Sequence, residues 1–526
     1  LNEEHDFSVL LGQSAEKWGM GESLAGSNLG SSFYDFEHAY LSNVNSLAKV
    51  QSLTGAPQTP GSMASFFGRI NYDYREKYMA TLIMRADGSS TFARGNRWGY
   101  FPSVSAGWVI TNEDFMEGVS SNIDFLKLRG SYGQNGNSQV SGFQYMAPIN
   151  MNNNYGGYPF GGSMGDASIG AYPYRLTNRD LKWETQTQLD VGVDMLFLRS
   201  RLGVELDWYT RTTKDWLVAP PILGSLGADA AYINGGDVKN KGFEVAVRWN
   251  DTVKDWTYGV SVNMSNNKNE VLKIANEEGV INGARNVLWW GAEPFYRAQV
   301  GEAFGAFYGY KADGIFQNQE QINNYKGPLL LGKDTRPGDV IWVDTDGNGE
   351  LDANDRTIIG NPHPDITLGV NFNVEWKGID LSMNLYGAFG HQILKNYRDY
   401  SIAPYNNFTS DVYERWHGEN TSNKMPRLSS SSHTNWSRIS SIYIEDADFL
   451  KIKNLTIGYD LKQAFKKLPL QRLRLYVTGQ NLFTFTGYSG MDPEIGYGAG
   501  DSWASGIDLG NYPSSRIYMI GANIQF

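Results

Sequence analysis

Apolar and polar residues alternate in segments of about ten residues along nearly the whole chain, and no other feature limits the possible folds as strongly. In Phe66 to Tyr74, which reads FFGRINYDY, Phe66, Ile70, Tyr72 and Tyr74 fall on one side and Arg69, Asn71 and Asp73 on the other. Successive side chains of a β-strand point to opposite sides, so this segment is a strand with one apolar and one polar surface. The pattern recurs at Tyr78 to Asp87, Phe101 to Ile110, Leu126 to Gln134, Gln188 to Met195, Leu202 to Thr210, Phe243 to Trp249 and Trp256 to Met264. It returns at Ile366 to Trp376, Leu381 to Phe389, Phe449 to Tyr459, Leu473 to Phe483 and in the closing segment, Ser514 to Phe526. With weaker candidates near His5 to Ala15, Tyr296 to Gly301 and Phe304 to Phe316, the expectation is about sixteen strands of roughly ten residues.

The polar faces carry Asp190, Asp194, Glu205, Asp207, Arg211, Asn371, Asn373 and Glu375, a set too polar for the interior of a soluble sandwich. A membrane barrel accounts for both faces, with apolar side chains toward lipid and polar ones toward a wet lumen. No segment reaches the run of about 18 apolar residues that a membrane helix needs. A closed sheet is the other structure that satisfies every backbone group in hydrocarbon. The sequence therefore predicts an all-β, transmembrane antiparallel β-barrel. Short connections such as Arg75 to Lys77, Leu198 to Arg201, Asn250 to Asp255 and Lys377 to Gly378 alternate with long ones rich in Gly, Asn, Ser and Tyr. The long stretches are Asn135 to Leu181, Ser265 to Phe295, Gln317 to Pro364 and His391 to Ala447. Short periplasmic turns and long outer loops are the barrel pattern. Counting back from a periplasmic C-terminus puts every long stretch outside.

Composition closes off other classes. A net charge of −11 gives no clustered cations for phosphate binding, which argues against nucleic acid. Cysteine is absent, so there is no disulfide framework, thiolate metal site or cysteine nucleophile. The six histidines, His5, His38, His363, His391, His417 and His433, show no metal-ligand spacing. HExxH, GxSxG and Walker A motifs are missing. Lumenal acids such as Asp190, Asp194 and Glu205 are what a polar channel displays, and no enzyme is expected. The first residues, Leu1 to Glu4, lack the basic start and apolar run of a signal peptide.

In the closing RIYMIGANIQF, Tyr518, Ile520, Ala522, Ile524 and Phe526 share a face, and the chain ends on the aromatic. This resembles the signal by which outer-membrane barrels are recognised for assembly. Further motifs carry a more specific resemblance over nearly the whole chain: Tyr78 to Phe92 (YMATLIMRADGSSTF), Trp98 to Trp108 (WGYFPSVSAGW), Leu126 to Asn137 (LKLRGSYGQNGN), Trp183 to Asp190 (WETQTQLD), Asn240 to Glu244 (NKGFE), Phe304 to Phe316 (FGAFYGYKADGIF) and Phe449 to Tyr459 (FLKIKNLTIGY). Together they resemble the SusC-like TonB-dependent transporters, and Gly479 to Phe483 (GQNLF) is shared more widely among TonB-dependent barrels. The resemblance implies a barrel of about 22 strands closed by an N-terminal plug, so the chain is expected to be the C-terminal part of a longer polypeptide. The plug and about six strands would be supplied from elsewhere. The closing strand should then find no partner near Leu1.

One loop motif points to a metal. Asp344-Thr-Asp346-Gly-Asn348-Gly349-Glu350-Leu-Asp352-Ala-Asn-Asp355 fits an EF-hand-type calcium loop, with Gly349 at the sharp turn. The oxygen ligands would be Asp344, Asp346, Asn348, the Glu350 carbonyl, Asp352 and Asp355. The last stands where Glu is usual, as in dockerin-like variants. The plain alternative is an acidic, turn-rich outer loop. Trp289 and Trp290 could stack on sugar rings as a substrate platform, although an interfacial aromatic girdle explains them more simply. Asn152 to Tyr158 reads as flexible loop.

The expected function is the barrel portion of an outer-membrane active importer of oligosaccharides or peptides. By resemblance it works with a SusD-like surface lipoprotein as lid, with TonB-ExbB-ExbD acting through the plug and TonB box, and often as a dimer of such pairs. One alternative is a passive, porin-like channel of about sixteen strands, which needs His5 to Ala15 to pair with the closing strand. Another is a calcium-stiffened adhesive surface protein.

Overall fold

The computed structural model describes residues 4–526 except 30–34, 39, 41–49, 119–121, 141, 147, 151–156, 159–167, 170, 221, 223, 284, 286, 290, 398–408, 429–434, 436–437 and 495–504. One antiparallel sheet of fourteen strands dominates it. In chain order these are β1 (His5–Trp18), β2 (Gly61–Tyr74), β3 (Tyr78–Ser89), β4 (Trp98–Val109), β5 (Ile123–Asn137), β6 (Glu184–Phe197) and β7 (Leu202–Lys214). There follow β8 (Gly236–Val253), β9 (Trp256–Ile274), β10 (Ile366–Trp376), β11 (Ile379–Phe389), β12 (Phe449–Asp460), β13 (Arg472–Thr486) and β14 (Ile517–Gln525). Each strand pairs with its sequence neighbours, the meander expected of a membrane barrel.

Register keeps like with like across the sheet. Phe7, Tyr72, Ala80, Ala106, Gly130, Val191, Trp208 and Phe243 are successive partners in one row on the apolar face. One residue away, Ser8, Asn71, Thr81, Ser105, Ser131, Asp190 and Tyr209 form a row on the polar face. A slip by one residue would turn every polar side chain of a strand into lipid, so the alternation itself fixes the register.

Aromatic side chains bound the apolar face at both ends. Toward the short turns, Tyr74 stacks on Tyr78 and Tyr78 on Trp108, each pair at 6.4 Å, and Trp256 stacks on Trp376 at 5.2 Å. Toward the long connections, Phe66 stacks on Trp98 at 6.1 Å. Trp98 and Trp108 are ten residues apart on β4, about 33 Å at strand rise, and a tilt near 40° reduces this to a band about 25 Å tall, the height of an outer-membrane hydrocarbon belt. The first short turn has left-handed Arg75 and Glu76, and Lys377 with Gly378 makes a two-residue turn with both φ angles positive, the geometry that matches strand twist.

Fourteen of the sixteen expected strands lie in this sheet; two do not. Residues 296–299 and 306–310 fall in a separate four-stranded sheet formed by Val280–Asn282, Tyr296–Gln299, Ala306–Tyr310 and Arg356–Gly360, and Ala312–Ile315 pairs with Val340–Trp342 in a further two-stranded sheet. Their alternation is genuine, but the apolar side meets other outer segments in place of lipid. Tyr296, Phe295, Phe307, Leu288 and Ala292 pack with Leu394, Ile439 and Ile507 in one core. Residues 275–365 are therefore a single outer connection. Removing a pair of strands preserves the in-and-out count, so every long connection still falls at one end.

Among the described residues no ladder joins β1 to β14. The first pairs only with β2 and the last only with β13. This agrees with the expectation that the closing strand finds no partner near Leu1.

Leu82, half exposed on the apolar face, and its neighbour Thr81 on the polar face test the assignment of sides. Leu82→Arg is expected to destabilise the barrel in lipid vesicles by about 2 to 4 kcal/mol, the cost of a cation near mid-bilayer, with Thr81→Arg costing about 1 or less. Denaturant unfolding from vesicles measures both, and equal costs would overturn the assignment.

Candidate functional site

Outer connections hold most of the buried side chains. Residues 275–365, 390–448 and 487–516 each contribute to the core around Phe295 and Phe307. A parallel bridge between Leu394–Lys395 and Ile507–Asp508 ties the second segment to the third. The sheet below is thus capped by a packed layer built from segments distant in sequence.

Two polar clusters pin this layer. Lys451, fully buried at the outer end of β12, donates to Asp492 at 3.0 and 3.1 Å and to Glu494 at 2.7 Å. Asp492 also accepts from the backbone amides of Glu494 at 3.1 Å and Ser514 at 3.2 Å. Burial works against ionising either acid. For Asp492 it is outweighed by those amides and Lys451, and for Glu494 by Lys451 and Lys453, so both carboxyls are held below the ordinary carboxylate range. In the second cluster, buried Asp508 accepts from Tyr397 at 2.8 Å and Tyr488 at 2.7 Å. Burial and that carboxylate push the Tyr397 hydroxyl up to about 12. Neither cluster has a sequence signature, because the partners lie 41 and 111 residues apart.

The acidic loop folds on its own backbone. Asp344 accepts from the amides of Gly347 at 2.7 Å and Gly349 at 2.8 Å, Asp346 from Asn348 at 3.0 Å, and Asn348 from Glu350 at 2.7 Å. Asp352 caps a single 3-10 turn, and fully buried Asp355 accepts from Thr345 at 2.7 Å and Asp352 at 2.9 Å. Carboxylate oxygens of Asp344, Asp346 and Asp355 all lie within 4.8 Å of one another. Asn348 turns its amide nitrogen between Asp346 at 3.1 Å and Asp352 at 3.5 Å, so a donor dipole fills part of the space among the acids. The Glu350 side chain is exposed. The Gly349 amide leads in holding the Asp344 carboxyl below its usual range.

Trp289 lies against the outer-layer core, away from both aromatic belts of the sheet. Trp290 falls outside the described residues, as do residues 152–156 of the Asn-rich run. In the lumen, Arg129 of β5 donates to Asp194 at 3.0 Å and Asp207 at 2.7 Å and lies 3.5 Å from Asp190. One cation bridging β5, β6 and β7 makes these acids part of the wall.

Acid should loosen the first pin. A depressed folded pKa contributes stability that is complete above the unfolded value near 4 and is lost as pH falls through the lowered folded values. Protection factors of the Glu494 and Ser514 amides, taken by mass spectrometry against the intrinsic exchange rate at each pH, are expected to be high at pH 7 and to fall below about pH 4. Protection unchanged down to pH 2 would remove the two carboxylates from this role.

Comparison with known proteins accords with this architecture. A family model described as "TonB dependent receptor-like, beta-barrel" matches residues 2–482. The "TonB-dependent receptor P3" of Formosa agariphila is 34% identical over 531 residues, covering 99% of this chain and 51% of the relative. The "TonB-dependent receptor SusC" of Bacteroides thetaiotaomicron is 30% identical over 488 residues, covering 91% of this chain and 45% of the relative. Among solved structures, the "RagAB peptide importer in the 'closed-closed' state" superposes with a TM-score of 0.78 at 25% identity, covering all of this chain and 54% of that one. The chain thus spans about half the length of the relatives it matches. These relatives are named as receptors and importers, consistent with a protein that is not an enzyme. The chain is similar to SusC and belongs to the TonB-dependent receptor-like β-barrel family of the outer membrane.

Proposed function

We propose that this chain is the barrel portion of an energy-dependent importer of oligosaccharides or peptides too large for passive pores. The observation that carries the reading is a polar face running across the strands beneath a packed outer layer, in a sheet whose two edge strands each lack a second partner among the described residues. Unpaired backbone edges are costly in hydrocarbon, so further strands complete the cylinder, and a plug fills a lumen of that width. Energy reaches the plug from TonB-ExbB-ExbD. A SusD-like lipoprotein seats on the outer layer as a lid, and two such pairs associate. A peptide cargo is suggested by the similarity to the RagAB peptide importer, and a glycan cargo by what the sequence's resemblance to SusC-like transporters implies. The porin-like alternative required β1 to pair with β14, a ladder that the described residues do not make.

Deletion of the gene is expected to abolish uptake of the cargo oligosaccharide or peptide, with restoration by the full gene only while a proton-motive force is maintained. Uptake that persists after the membrane is uncoupled would point to passive diffusion.

The loop from Asp344 to Asp355 is proposed to bind calcium as a structural brace, with Asp344, Asp346 and Asp355 as anchoring carboxylates and Asn348, the Glu350 carbonyl and Asp352 completing the shell. The support is the clustering of the three acids and the oxygen-only donor set, which suits a hard cation. Titration of the full-length protein with calcium is expected to give a Kd of about 10⁻⁵ to 10⁻³ M and to protect the loop from proteolysis. Asp346→Ala should remove both effects. Identical proteolysis with calcium and with chelator would sink the assignment.

A further inference from the structure

The four-stranded outer sheet has a second face opposite the Phe295 and Phe307 core, part of which is itself covered, since Tyr310 is buried against Val340 and Trp342. Arg297, Tyr308, Tyr310 and Arg356 stand on it, since Tyr310 pairs with Arg356 and Arg297 with Ala306, two residues before Tyr308. The Arg297 guanidinium lies 3.3 Å from the centre of the Tyr308 ring, and that of Arg356 lies 4.6 Å from the same ring. Beside them Arg438 sits 5.2 Å from the Tyr310 ring and donates to its hydroxyl at 3.1 Å. Three guanidinium groups therefore gather on two neighbouring tyrosines.

The charge is poorly balanced. Arg356 pairs with Glu293 at 3.0 Å and donates to the Pro294 carbonyl at 2.6 Å. Its side chain is nine-tenths buried, yet its Nε has no acceptor among the described residues. Arg297 donates to the side-chain oxygens of Asn282 at 3.0 Å and Gln299 at 3.3 Å, both neutral. Burial, with Arg356 close by, pulls the Arg297 pKa below its usual value although Glu278 lends some field. A cation held beside another cation, with neutral acceptors only, gains from an added anion. Guanidinium forks flattened on a ring are preorganised for the planar geometry of a carboxylate.

We propose that the guanidinium groups of Arg297 and Arg356 over Tyr308, with Arg438 beside them, form a binding site for a carboxylate group of the transported cargo. The inference deepens the importer reading by assigning acidic cargo, and it is tested by binding and not by uptake, so its failure leaves that reading standing. The carboxylate belongs either to a uronate sugar or to a peptide, and the test has an arm for each.

Full-length protein in detergent is titrated with trigalacturonate and with its methyl ester, and separately with a short peptide acid and its C-terminal amide. For at least one pair the free acid should bind about tenfold more tightly than the neutral form, as expected for a charge-assisted contact in a partly dry site. The pair that shows the difference identifies the source. Arg297→Gln should erase the preference. Asn282→Asp should erase it too, by placing an internal carboxylate on Arg297 without removing a cation. Equal affinity for acid and neutral forms in both arms, no binding of either acid, or a preference that survives both variants would overturn the proposal.

Discussion

Hydrocarbon offers backbone amides and carbonyls nothing to bond with, and this fact organises the protein. Every strand of the large sheet must find its hydrogen bonds in a neighbouring strand, so the chain runs as an uninterrupted meander from β1 to β14. Side chains then have only two surroundings available within the membrane, lipid or lumen. The period of two follows from the geometry of the strand, and register follows from the period. Even the aromatic belts obey this order, because Tyr74, Tyr78 and Trp108 become neighbours only when all three strands are in register.

Above the membrane, water satisfies the backbone and that constraint lapses. The outer segments are stabilised by a different balance, a compact apolar core around Phe295 and Phe307 and a few polar pins in which charges are buried only with partners. Lys451 with Asp492 and Glu494 is such a group: removing one member leaves uncompensated charge in a dry place, so the arrangement holds a loop in one position more firmly than its modest net energy suggests.

How much of this could be read from the sequence depends on which regime a residue occupies. Strands such as Phe66 to Tyr74 or Ile366 to Trp376 announce themselves, because their two faces meet two solvents of opposite polarity. Residues 304–316 show the same period for a different cause. Phe307 faces a protein core where the lipid-facing reading expects acyl chains, and Tyr308 faces arginines where it expects lumen water. Periodicity reports that two faces differ and is silent about what each one meets. The acidic loop was legible as a motif because its contacts span at most ten residues, from Thr345 to Asp355. Arg297 and Arg356 were illegible because fifty-odd residues and a turn of the chain separate them, and only the folded outer sheet sets them on one tyrosine. Trp289 illustrates the same limit, since a tryptophan beside a long loop suits a girdle, a sugar platform or a core equally well.

The shared core of the outer layer has a consequence for how such a protein changes over generations. Residues from three separate loops interlock around Phe307, so none can lengthen, shorten or reshape its buried end without misfitting the other two. Diversity in these loops is thereby channelled to parts that stay clear of the core. A barrel built this way would remodel its outer surface by altering exposed positions singly, or by exchanging the entire three-loop assembly as one inherited block.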